Sequence, residues 1–185
     1  TVSDGAGDDT KLSLYIAMSS TMLNNRAKIT STDIEADNGV IHIIDKVILP
    51  QTVVDFAVNN SSFTILVEAL AKAELVDTLK GDGPFTVFAP TDDAFNALFT
   101  ALGVSGIADL TKEALTPILL AHVVSGNVAS GDLSNGDVQT LNTEKKISID
   151  ISNGVKIDGD INVTLADVQG TNGVIHVIDK VTSVN

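Results

Sequence analysis

Apolar residues recur with two different periods along this chain, and the change falls near Val124. Upstream the spacing is helical. Val53, Val54, Phe56 and Ala57 cluster after Thr52, and Asn59-Asn60-Ser61-Ser62 interrupts them and supplies a cap. Phe63, Leu66, Val67, Leu70 and Ala71 then fall three and four residues apart, which predicts an amphipathic helix. A short helical turn follows over 74–79 and ends at Gly81. Phe85-Thr86-Val87-Phe88-Ala89, between Gly83-Pro84 and Pro90, predicts a buried strand. Thr91 caps a helix through Phe95, Leu98 and Phe99, with Asp92 and Asp93 in the turn where the dipole favours anions. Thr111 caps another over 112–121, in which Pro117 is expected to cause a kink or shift the start.

Downstream of Val124 alternation takes over. Ile147, Ile149 and Ile151 alternate with Ser148, Asp150 and Ser152. Asn153-Gly154 predicts a tight hairpin turn, and Asp158-Gly159 or Gly159-Asp160 a second. Residues 155–157, 161–168 and 174–181 read as further strands. Helices followed by an antiparallel sheet predict an α+β domain. Its expected core sets Phe63, Leu66, Leu70, Phe85, Phe88, Phe95, Leu119 and Leu120 against Ile147, Ile149, Val174 and Val177.

An internal repeat organises the chain. Asn38-Gly39-Val40-Ile41-His42-Ile43-Ile44-Asp45-Lys46-Val47 recurs as Asn172-Gly173-Val174-Ile175-His176-Val177-Ile178-Asp179-Lys180-Val181, nine of ten positions identical, at an offset of 172 − 38 = 134. The same offset pairs Asp33-Ile34 with Asp167-Val168, Thr30 with Thr164 and Leu23 with Ile157. With one residue gapped, Lys11-Leu12-Ser13-Leu14 matches Lys146-Ile147-Ser148-Ile149. That period has the size of a domain, not of a solenoid repeat. Pro50 marks the junction. Residues 51–185 read as a complete copy and residues 1–50 as the C-terminal strand portion of a first, with about 84 residues of that copy lying outside.

Composition narrows the chemistry. The 185 residues carry a net charge of −13, which repels phosphate and disfavours nucleic-acid and anionic-lipid partners. No apolar run reaches the roughly 20 residues of a membrane span. With no cysteine there is no disulfide, thiolate metal site or cysteine nucleophile. The three histidines are far apart in sequence and do not read as a zinc site. Asp158-Gly159-Asp160 lacks the ligand spacing and closing Glu of a calcium loop. Neither a Gly-x-Ser-x-Gly elbow nor a phosphate loop is present, so no catalytic residue, metal or cofactor is assigned.

Three ordered blocks resemble the fasciclin family: Phe85-Thr86-Val87-Phe88-Ala89-Pro90-Thr91-Asp92-Asp93-Ala94-Phe95, Leu119-Leu120-Ala121-His122-Val123-Val124-Ser125-Gly126, and the repeated 172–181. The resemblance implies a wedge-shaped β-sandwich with a helical cap. It also implies a secreted, cell-surface or periplasmic module that binds extracellular protein or glycan without catalysis. The other expectation is a building block of an extracellular fibre or layer, joined through sheet edges. In animal members integrin binding is associated with the Asp-Ile pair before the closing block, here Asp167-Val168 and Asp33-Ile34, and with a tyrosine–histidine pair, here Ala121-His122 with the tyrosine absent. Read from their apolar surroundings, His122, His42 and His176 are instead buried structural groups, each with a polar partner. Residues 1–50, as half of a domain, are expected to need cover from an assembly and to self-associate.

Overall fold

A computed structural model describes residues 2–3, 9–10, 12–14, 16–17, 21–24 and 26–182. Strands β1 (Val2–Ser3) and β2 (Asp9–Thr10) pair with each other. Strands β3 (Ile16–Ala17), β4 (Met22–Leu23), β5 (Ala27–Ala36) and β6 (Gly39–Ile44) form an antiparallel sheet in that order. The helical part comprises α1 (Val53–Val58), α2 (Thr64–Lys72), α3 (Val76–Lys80), α4 (Asp92–Leu102) and α5 (Lys112–Leu120), with β7 (Phe85–Pro90) between α3 and α4. Strands β8 (Val123–Ser125), β9 (Gly136–Gln139), β10 (Lys146–Asp150), β11 (Lys156–Ile157), β12 (Ile161–Gly170) and β13 (Gly173–Ile178) follow. The large sheet runs β8-β7-β13-β12-β11-β10-β9.

Side-chain caps set the helix starts. Thr52 Oγ1 accepts from Asp55 N at 3.1 Å while the Asp55 carboxylate accepts from Thr52 N at 3.2 Å, a reciprocal box that satisfies two orphan donors. Thr91 and Thr111 accept from Ala94 N and Ala114 N in the same way. Helix α5 begins directly after Thr111 with Pro117 inside it, so the proline does not displace the start.

The sheet differs from the expected all-antiparallel one. β7 runs parallel to β13 over six residue pairs, from Gly173↔Phe85 to Ile178↔Pro90. A β7 residue and β13 both need burial on two faces, and the centre of the sheet provides it. Glycine makes the approach possible: a Cβ on Gly173 would lie 2.1 Å from the Phe85 carbonyl oxygen, and one on Gly83 2.0 Å from that of Asn172.

The core is also divided, where one core was expected. Phe63, Leu66, Leu70, Phe95 and Leu119 pack with Ala89, Ile175 and Val177 beneath the helices. Ile147 and Ile149 instead join Phe88, Val124, Ile157 and Ile178 in a second cluster, enclosed where the sheet turns back so that β10 faces β7 and β13. Alternate residues of β7 and β13 therefore serve two cores. Each large side chain so buried contributes about 1.5–3 kcal/mol before entropy. Phe85 and Leu120 are only half-buried. Asn153-Gly154 does not make a two-residue hairpin: β10 ends at Asp150, residues 151–155 form the connection, and Ile151 is exposed.

The repeat is structural as well as textual. The pairs Ile29↔Ile44, Ser31↔Ile43, Ile34↔Ile41, Glu35↔Val40 and Ala36↔Gly39 of β5–β6 reappear at the 134 offset as Val163↔Ile178, Leu165↔Val177, Val168↔Ile175, Gln169↔Val174 and Gly170↔Gly173 of β12–β13, with register breaks at the same places. Ile16↔Leu23 corresponds to Ile149↔Ile157, so Ile16 and not Leu14 is the counterpart of Ile149. The segment holding Leu12 to Leu14 lies elsewhere, with Ser13 N donating to Gln169 O at 3.0 Å on the edge of β12. Lys11 and Tyr15 lie outside the described residues.

Candidate functional site

Each long hairpin carries an aspartate at a bulged corner. Asp167 interrupts β12 with φ +62° and Asp33 interrupts β5 with φ +58°, a left-handed conformation that aspartate tolerates better than most residues. A histidine on the neighbouring strand holds each one. Asp167 N donates to His176 Nδ1 at 3.3 Å, and Asp33 N donates to His42 Nδ1 at 3.2 Å. With Nδ1 accepting, Nε2 carries the proton, and His176 Nε2 donates it to Val128 O at 3.0 Å.

Around Asp167 the loop after β8 closes the corner from one side. The carboxylate accepts from Ser130 N at 2.6 Å and from the Ser130 hydroxyl. Thr86 Oγ1 accepts from Val128 N at 2.9 Å and donates to Gly126 O at 2.7 Å. The amides of Gln169 and Asn127 pair reciprocally, at 3.1 and 3.3 Å. From the other side Ser13 Oγ accepts from Gln169 N at 2.9 Å and donates to Asp167 O at 3.3 Å. Partial burial pushes the Asp167 carboxyl up, but the two Ser130 bonds and nearby His176 outweigh it and hold the group below the ordinary carboxylate range. Val168 is half-buried against the helical-side core, so at this corner the aspartate is the exposed member of the pair.

At the first corner both members are exposed, Asp33 and Ile34 alike. His42 is exposed too, which corrects the expectation that both strand histidines are buried: His176 is fully buried and His42 is not. The two keep the same bond to aspartate, and what differs is the cover that α1, β7 and the 126–130 loop give to one of them.

His122 lies apart from both corners and is buried. Its Nδ1–H donates to Ile118 O at 2.7 Å and its Nε2 accepts from Thr182 N at 3.0 Å. Burial pushes its pKa down to about 4, against the Ile118 bond and the Asp158 charge, which both favour the proton. It ties the end of α5 to the chain after β13 and presents no surface to a partner.

Sequence reasoning missed Ser130, Thr86, Asn127 and Gln169. Their one signal was a Gly- and Asn-rich texture that reads as turns and does not tell which turn closes on which strand. Among the described residues, no cluster of three or more His, Asp or Glu side chains converges as a metal site, and no helix is long and apolar enough to cross a membrane.

Comparison with known proteins finds relatives of the whole chain. The model of the Fasciclin domain matches residues 1–50 and 61–183. Protein sll1483 of Synechocystis is 41% identical over 130 residues, covering 70% of this chain and 72% of that protein. Transforming growth factor-beta-induced protein ig-h3 of Sus scrofa is 31% identical over 173 residues, covering 92% of this chain but 25% of that protein. Among solved structures, a FAS1 domain pair from the insect cell adhesion molecule Fasciclin I superposes with a TM-score of 0.67 at 23% identity, over 87% of this chain and 61% of that one.

Proposed function

Since this chain belongs to the fasciclin domain family, we propose that it is an adhesion or interaction module of a cell surface or extracellular matrix, which binds a protein or glycan partner without catalysis. One observation carries the reading: the chain twice builds the same rigid corner, a left-handed aspartate pinned by a histidine, with its carboxylate at the surface. A strained backbone held by its surroundings fixes a side chain at small entropic cost, which suits recognition. Asp33-Ile34 offers an acid and an apolar contact side by side, and Asp167 offers an acid whose bonds to Ser130 already orient it. Val168 supports the second corner from within, and His122 acts at a distance by holding α5 in place. An acidic contact on a chain of charge −13 selects a basic or neutral partner surface and makes the association salt-sensitive.

The test is binding of the chain to immobilised extracellular-matrix proteins and to a glycan array. The double variant Asp33→Ala, Ile34→Ala should lose tenfold or more in affinity, and Asp167→Ala a smaller factor, with circular dichroism unchanged. Binding that survives both variants at full strength refutes the assignment of the corners.

A further inference from the structure

The second apolar cluster does not close completely. Where the chain of residues 126–134 crosses it, a cavity of about 150 Å³ lies between that loop and the sheet. Val124 of β8, Val138 of β9 and Ile149 of β10 stand in its walls, and Val128 and Leu133 of the loop form its roof. It opens beside Asp132 and Ser134, both exposed.

Size and chemistry decide what such a space holds. About 10–15 Å³ takes one water, and an apolar cavity of about 150 Å³ takes a benzene ring. A space beneath α1 and α2 measures about 30 Å³ and is too small for a ring. A bound water needs several polar partners. The polar group buried in the wall of the larger cavity is the Thr86 hydroxyl, and it already donates to Gly126 O at 2.7 Å and accepts from Val128 N at 2.9 Å. An apolar occupant therefore fits the interior better than water does. At the mouth the Asp132 carboxylate, on a chain of net charge −13, repels an anion.

The roof is tied to the Asp167 corner. Val128 donates its N–H to Thr86, and its carbonyl accepts from His176 Nε2 at 3.0 Å. Two residues on, Ser130 makes both of its bonds to the Asp167 carboxylate. A molecule packed beneath Val128 and Leu133 supports the stretch from which Ser130 reaches Asp167.

We propose that this cavity is a binding site for a small uncharged hydrophobic molecule the size of a benzene ring, and that its occupant steadies the Ser130 clasp on Asp167. By linkage, the clasp strengthens binding by the same factor as the occupant strengthens the clasp. A hydroxymethyl group on the ring points out past Ser134, whereas a carboxylate is turned away by Asp132. The proposal is independent of any adhesive role of the corner.

The experiment titrates the 185-residue chain with benzene, benzyl alcohol and benzoate, read by methyl NMR and melting temperature. Benzene and benzyl alcohol should shift the methyl signals of Val124, Val138 and Ile149 saturably and raise the melting temperature. The methyls of Val53 and Leu70, beneath the helices, should stay in place. Benzoate should bind at least tenfold more weakly. Val138→Phe sets a ring into the space from β9 and should abolish the shifts at Val124 and Ile149. Leu133→Phe does the same from the roof, should the first variant fold poorly. Ser130→Ala should bind benzyl alcohol at least threefold more weakly, with circular dichroism unchanged. Shifts that do not saturate, or that fall at Val53 and Leu70 instead, overturn the proposal. So do benzoate binding as tight as that of benzyl alcohol, and full binding by both filled variants. Undiminished binding by Ser130→Ala overturns it equally, because roof and clasp are then uncoupled.

Discussion

Burial of His122 couples the stability of the fold to pH. The imidazole is neutral in the native chain, where its pKa is lowered to about 4, and it regains an ordinary value of about 6.5 when unfolded. Between those values the unfolded state binds more protons. The stabilisation is therefore complete above pH 6.5 and is lost as the pH falls through 4, on the order of 3 kcal/mol in all. The carboxyls of Asp55 and Asp167, held below their ordinary range, lose their contribution only at lower pH. The variant His122→Gln should be less stable at pH 7 and should flatten the dependence of melting temperature on pH between 6.5 and 4. A wild-type curve that is already flat in that window rules the coupling out. The histidine pair at the corners gives a second comparison. His176→Ala removes a buried link between β12, β13 and the 126–130 loop and should cost about 1–3 kcal/mol. His42→Ala, at an exposed site with the same aspartate bond, should cost less than about 0.5 kcal/mol in denaturant titration.

Among the elements, β13 and β6 form a natural experiment, nearly one sequence in two environments. Ile175→Ala should cost about 2–5 kcal/mol, from lost transfer energy plus the cavity left between α1 and the sheet. Ile41→Ala should stay within about 0.5 kcal/mol in the 185-residue chain. Chemical denaturation of both variants checks the pair, and equal costs would contradict the exposure of β6. Elements of this kind were legible from the chain to different degrees. Thr52, Thr91 and Thr111 announce their helices because a cap acts within three residues. The strand at Phe85–Pro90 is equally plain, bounded by Gly-Pro and Pro. Its partner is not: parallel pairing with β13 joins residues nearly ninety positions apart, and no local pattern encodes that choice. Alternation marks Ile147 and Ile149 as buried, as they are, but it tells which side of a strand is apolar and not which of two cores receives it. Asn153-Gly154 misled because a turn dipeptide fixes a local bend, while Ile149↔Ile157 sets the length of the loop. The two corners were visible as repeated Asp-Ile and Asp-Val pairs, whereas their left-handed backbone and the Ser130 lock depend on contacts across the fold.

For the molecule as a whole, the two apolar clusters found among the described residues are built from residue 53 onward. A polypeptide of residues 48–185 should therefore fold alone, with a cooperative melt within a few degrees of the full chain, and loss of cooperativity would show that the Ser13 contacts on β12 hold more than an edge. The net charge of −13 adds a second expectation. Self-repulsion weakens as added salt shortens the screening length from about 30 Å at 10 mM to about 8 Å at 150 mM, so the melting temperature should rise over that range. Calorimetry at constant pH reads it, and a fall would mean that the ion pairs Lys80–Asp55 and Lys145–Asp158 outweigh the excess of like charge.

The parallel pairing of β7 with β13 has a mechanical meaning. Phe85, where the chain enters β7, lies beside Gly173, and Ile178, where it leaves β13, lies beside Pro90. Tension that enters through the helices and leaves through the C-terminal end therefore draws the two strands lengthwise past each other. Their six paired positions share the load and must slip together, whereas an antiparallel pair pulled from one end peels a bond at a time. Two strands joined this way resist a steady pull longest when the load runs along the strands themselves.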